Sequence, residues 1–163
     1  KRIDLMHELF ANDLRRLRSR FDELAAASGN EAGANAMLMI GRRHVRDMNS
    51  WLHNLKPYVR GKNRCTMKLN PRDAARIGLS DGGQARVVSN VGETLVPVEV
   101  SDDMMDGVIS IPHGFGHHYA DSQQANARDI LPGVSCNDLI DESLDVASST
   151  CIVNGVPVQV YPA

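Results

Sequence analysis

The sequence predicts a mainly β protein with short helices: a small closed or nearly closed barrel preceded by one N-terminal amphipathic helix. Three observations carry that expectation. Short apolar, β-branched runs recur between glycine-containing turns from residue 37 to the C-terminal region. One short helix, with a start signal and a stop signal, interrupts them after residue 69. Helical periodicity is otherwise confined to the first 24 residues, too little for a doubly wound α/β sheet. Closure is the way such short strands avoid exposed edges.

In chain order, apolar residues at 3, 6, 10, 14, 17, 21 and 24 alternate steps of three and four with no Pro or Gly inside, which predicts an amphipathic helix over residues 3–24. Asp4 near its start and Arg15, Arg16, Arg18 and Arg20 in its second half partly suit the helix dipole. The arginines read as a solvated face opposite a docked one. Residues 28–35, with Gly29 and Gly33, read as a linker, so residues 1–35 are expected to be an extension from a preceding domain and residues 36–163 the barrel. Strands are predicted over 37–40, 65–69, 85–89, 94–100 and 108–111. Asn70, Pro71 and Asp73 open a short helix as cap, first helical residue and first-turn acid, and Gly78 closes it. Residues 150–153 and 156–161 flank Asn154 and Gly155, the dipeptide suited to a type I′ turn, which predicts a closing hairpin. The order of strand, capped helix, glycine turn, strand and strand over 65–111 resembles a double-psi β-barrel.

At 163 residues and 42% hydrophobic the chain is long enough to bury a core. Eighteen basic against twenty acidic residues, a net charge of −2, argue against a nucleic-acid partner. No apolar stretch approaches a bilayer span and the start lacks a signal-peptide core, so no membrane partner and a cytoplasmic location are expected, although a parent protein's targeting signal would not show in a fragment. The start at Lys1 reads as mid-sequence, a piece of a larger protein. Cys65, Cys136 and Cys151 are too irregularly spaced for a disulfide framework or a metal site.

Two polar stretches, each following a strand-like run, are the candidate site. In the first, Gly41, Arg42 and Arg43 offer close backbone approach and guanidinium forks for a pyrophosphate; His44, Asn49 and Ser50 add donors, and Trp51 an apolar face. Taken alone, Trp51 reads more readily as a core residue. In the second, His113, Gly114, Phe115, Gly116 and His117 interleave glycine with imidazoles and an aromatic ring, which suits a planar heterocycle. The three histidines of 113–118 suggest a metal, but the glycines break helical spacing and no carboxylate completes a set, so no metal ligands are assigned. Asn137, which donates and accepts at once, and Asp138 suit the edge of a pterin or guanine, or else a cap or Asx turn. No nucleophile with base, carboxylate pair or P-loop is present, so no catalytic residue is assigned. None of the thirteen glycines precedes a serine, which excludes the pyruvoyl enzymes found among double-psi barrels.

With Gly41-Arg42-Arg43-His44, Asn49-Ser50-Trp51-Leu52-His53-Asn54, the segment 70–82, Pro112-His113-Gly114-Phe115-Gly116-His117 and Asn137-Asp138-Leu139 in this order, the chain resembles the C-terminal molybdopterin dinucleotide-binding domain of the dimethyl sulfoxide reductase family, which includes formate dehydrogenases and nitrate reductases. The resemblance runs from about residue 37 to residue 160. It implies a double-psi barrel covering a bis(molybdopterin guanine dinucleotide) with Mo or W, buried among the domains of an oxidoreductase. Carried over, Gly41, Arg42, Arg43 and His44 would lie against a pyranopterin or its phosphates, with Asn49, Ser50 and Trp51 close by. His113, Gly114, Phe115, Gly116 and His117 would form the second pterin-facing loop, and Asn137 would bond a cofactor edge. Phe115 stands where the family more often has Trp, which keeps an aromatic face and loses the indole donor. The family's metal-ligating and iron–sulfur residues lie in other domains, so the fragment alone is expected to be inactive. A double-psi barrel that recognises a peptide or protein without cofactor is the alternative, and a stand-alone His-metal enzyme a third.

Overall fold

The structure, a computed structural model, describes residue 3 and residues 6–27 and 33–163. Among these, six strands, β1 (Ala36–Arg42), β2 (Met67–Leu69), β3 (Gln84–Val88), β4 (Glu93–Val100), β5 (Val108–Pro112) and β6 (Val156–Pro162), close into a barrel in the order β1-β5-β2-β4-β3-β6. The fold is the double-psi barrel. Two neighbouring pairs run parallel, β1 with β5 and β2 with β4, and the other four are antiparallel. Alternation along the strands turns Met37, Met39, Met67, Leu69, Ala85, Val87, Val96, Val98, Ile109, Ile111, Val158 and Val160 into one core. Among the described residues four α-helices accompany the barrel: α1 (Glu8–Ala27), α2 (Lys56–Val59), α3 (Pro71–Ile77) and α4 (Ala125–Ile130).

The capped helix has the chemistry the sequence predicts. Asn70 accepts from the Arg72 N–H at 2.8 Å, Pro71 takes the first helical position, and Gly78 ends α3 with a left-handed φ of 75°. Three expectations need correction. The first helix starts at Glu8 rather than residue 3, behind a turn in which the His7 carbonyl accepts from Phe10 and Ala11. Its apolar stripe, Phe10, Leu14, Leu17 and Phe21, is exposed rather than docked. The hairpin at Asn154 and Gly155 does not form. Asn154 lacks the positive φ that a type I′ turn requires. Its Oδ1 instead accepts from the Gly41 N–H at 2.8 Å, and the Gly155 N–H donates to the Met39 carbonyl. The dipeptide thereby feeds β6 onto β1, and Cys151 makes only a single bridge, to Leu144. The linker predicted over 28–35 lies largely outside the described residues.

Candidate functional site

Because β1 and β5 are parallel neighbours, with Arg42 paired to Pro112, the connections that follow them leave the barrel at the same end and side by side. The His113 N–H donates to the Arg42 carbonyl at 3.0 Å, continuing the ladder into the loops. One residue further the loops touch. A Cβ on Gly114, whose φ is 93°, would sit 2.1 Å from the Asn49 carbonyl oxygen, so only glycine fits there. Gly116 is pressed in the same way against Ser135, the residue that caps the short 3₁₀ turn Cys136–Leu139. Gly92, in the turn before β4, closes on the Asp138 carbonyl. Three chain segments, carrying Asn49, His113 and Asn137, thus meet at one end of the barrel.

The structure distributes the expected site residues between a face and a support. Arg43, His44, Asn49, Trp51 and Asn137 are exposed, and Ser50, His113, Gly114 and Gly116 are half-buried, on the convergent loops. Arg43 donates to the Asn49 side-chain carbonyl, which holds one edge of its guanidinium. Trp51 is 77% exposed, so its reading as a core residue is corrected: the turn at 47–55 carries it outward. Arg43, His44, Val45, Met48 and Asn49 line an open concavity of about 440 Å³. Met48 and Asn49 hold left-handed φ values of 46° and 60°, a conformation that side chains seldom adopt and that collects at ligand-binding loops.

Gly41 and Arg42 are not in the loop. Both belong to β1, and Arg42 lies along the barrel wall, where its guanidinium donates to the Ser110 carbonyl, the Arg64 carbonyl and the Thr66 hydroxyl. Thr66 passes the chain on to the Glu99 carboxylate, whose pKa is held down chiefly by that bond. Phe115 is 7% exposed and packs with Val59, Cys65 and Leu131 in a second small core. Burial pushes the Cys65 thiol up to about 11, so it is a packed thiol and no nucleophile.

His117 is buried as well, and beneath the loops it leads to residues that the sequence reading missed. His117 Nε2 lies 2.8 Å from His53 Nδ1. His53, 1% exposed, turns its other nitrogen toward Asp47 Oδ1 at 3.2 Å, and Arg64 donates to the same oxygen at 2.7 Å. The His53–Asp47 contact lacks hydrogen-bond alignment and is electrostatic. Burial lowers the pKa of both imidazoles, and the neighbouring imidazole lowers that of His117 further. No signal within either segment announces this cluster, since its members are joined across 64 residues. Among the described residues no three His, Cys, Asp or Glu side chains group as metal ligands, and no helix is long and apolar enough to cross a membrane.

The sequence profile described as the molydopterin dinucleotide binding domain matches residues 37–157, three-quarters of the chain. The chain belongs to this family. It is 28% identical to a tetrathionate reductase subunit of Salmonella typhimurium over 67% of this chain and 12% of that protein. It is 35% identical to the dimethyl sulfoxide/trimethylamine N-oxide reductase of Cereibacter sphaeroides over 56% of this chain and 10% of that protein. The chain therefore spans about a tenth of the length of these curated relatives. Among solved structures, acetylene hydratase from Pelobacter acetylenicus aligns with a TM-score of 0.55 and 16% identity over 78% of this chain and 18% of that one, a likeness of fold.

Proposed function

We propose that this chain is the cofactor-binding domain of a molybdenum or tungsten oxidoreductase and holds a bis(molybdopterin guanine dinucleotide) on the loop end of its barrel. The observation that carries the reading is the contact of Gly114 with the Asn49 peptide, which sets two donor-rich loops edge to edge in a member of a dinucleotide-binding family. The residues present fit such a group. Arg43 has guanidinium N–H groups beyond the one bound to Asn49, His44 and His113 add imidazole donors, and the glycines let a ligand reach the main chain. Trp51 offers a flat apolar face beside them, and Asn137 an amide that reads a heterocycle edge. Arg42, Phe115 and His117 act from underneath, by fixing the wall and floor on which the loops sit. When bound, the cofactor supplies the redox chemistry, and the protein supplies orientation and electrostatics. Other domains of the parent complete the pocket, residues 1–35 lead in from one of them, and the isolated chain turns over no substrate.

The test is thermal protection by pterin guanine dinucleotide extracted from a molybdenum oxidoreductase. Protection is expected, and the Arg43→Ala, His113→Ala double variant should bind about a hundredfold more weakly, the loss of two charge-assisted or polar contacts. No protection at saturating dinucleotide, with the variant indistinguishable from the parent, overturns the reading and favours a peptide-recognition barrel.

A further inference from the structure

The two loops meet at the Gly114–Asn49 backbone contact on the surface and, below it, at the His53–His117 side-chain bond. We propose that His53 is a positioning residue: with His117 it forms a buried, proton-sensitive latch that fixes the 43–51 loop against the 113–117 loop. The role rests on the cofactor-binding reading, because those loops are the ones assigned to the ligand.

The geometry defines how such a latch works. His53 presents Nε2 to the Asp47 carboxylate and Nδ1 to His117. A proton on Nε2, facing the carboxylate, leaves Nδ1 as an acceptor, and His117 Nε2–H donates to it. The groups facing His53 are Asp47, Arg64, His117, the Gly114 carbonyl and the Phe115 ring. Those facing His117 are His53, His118 and the Gly114 carbonyl. Burial and then Arg64 oppose a charged His53, while Asp47 and the Gly114 carbonyl favour it, and His53 in turn opposes a charged His117. A second proton on each ring, making both imidazoliums, would set two N–H groups against one another across 2.8 Å. Opening the latch exposes both imidazoles to water, where they bind protons more readily, so acid favours the open arrangement.

The sign is fixed by the direction of the shifts. Both folded values lie below that of a free histidine, so the latch contributes its full stability above about pH 6.5 and loses it as pH falls from there toward the folded values.

The chain itself, without cofactor, tests this. Imidazole ¹⁵N titration should show His53 and His117 titrating as a coupled pair, in two steps below a free histidine. Between about pH 8 and about pH 5, hydrogen exchange at the His113 and Gly116 amides, corrected for intrinsic rate, should rise by about tenfold while Val96 and Val160 in the barrel stay protected. His117→Gln, which keeps a donor toward His53 and removes one of the two titrating rings, should hold the loop amides protected and reduce their pH dependence; His117→Phe should loosen them at every pH. Independent titration of the two rings, or a pH dependence left unchanged by His117→Gln, overturns the latch. Since these readouts need no ligand, they fail or succeed apart from dinucleotide protection. A latch that titrates in a chain the dinucleotide does not protect refutes the functional reading instead.

Discussion

The two ends of the barrel are built on opposite plans. Where β2 stops and β5 begins, the chain is closed by α3 and a short turn, and its polar groups are paired: Asn70 caps the helix and donates to the Met104 carbonyl, and Asp73 receives both Arg76 and the Gly107 N–H. Where β1 and β5 stop, long irregular connections take over. The buried side-chain atoms without a partner among the described residues, Asp47 Oδ2, His53 Nε2, Arg64 Nη1 and Gln124 Oε1, all fall in the connections from β1 to β2 and from β5 to β6. An orphaned buried polar atom costs stability, so a fold retains it where something other than stability is served. The paired end is a lid on the core, and the other end carries the loops proposed to face the ligand.

Substitutions at the two ends sharpen that contrast. Gly114→Ala should have the largest effect, about 3 kcal/mol or more, from forcing a Cβ into the Asn49 carbonyl at a φ that side chains avoid. Gly82→Ala, at a similar φ but with open space around it, should cost only about 1 kcal/mol. Urea unfolding midpoints of the pair measure the difference, and equal losses would remove the case for a loop contact. At the paired end Asn70→Ala should lose about 1 kcal/mol through the cap and leave loop exchange unchanged. Trp51→Ala, exposed and unpacked, should stay within about 0.5 kcal/mol of the parent while losing dinucleotide protection. A large stability loss there would show that the indole serves packing after all.

The paired end was the legible one. Asn70, Pro71 and Gly78 act through neighbours a few residues away, and β3 and β4 alternate inside and outside with the period that a half-buried strand requires. The barrel and both polar stretches could also be read, because each begins at the end of an apolar run. What could not be read depends on distant partners. Gly41 and Arg42 look like loop residues, yet pairing with Ile111 and Pro112 extends the strand through them. Asn154 and Gly155 have turn chemistry, but the Gly41 N–H and the Met39 carbonyl capture them first. His53 carries no periodicity at all, and its role depends on an imidazole 64 positions later.

The placement of β6 has a bearing on how the chain is made. Its neighbours are β1 and β3, so the first strand of the barrel waits for the last before its outer row of amides is satisfied. A nascent chain emerging from the ribosome with β1 to β5 complete would hold two raw edges, one along Ala36 to Met39 and one along Ala85 to Val88. Folding is then governed by distant pairing and completes late, and a truncation just upstream of Val156 should yield aggregate rather than a smaller soluble protein.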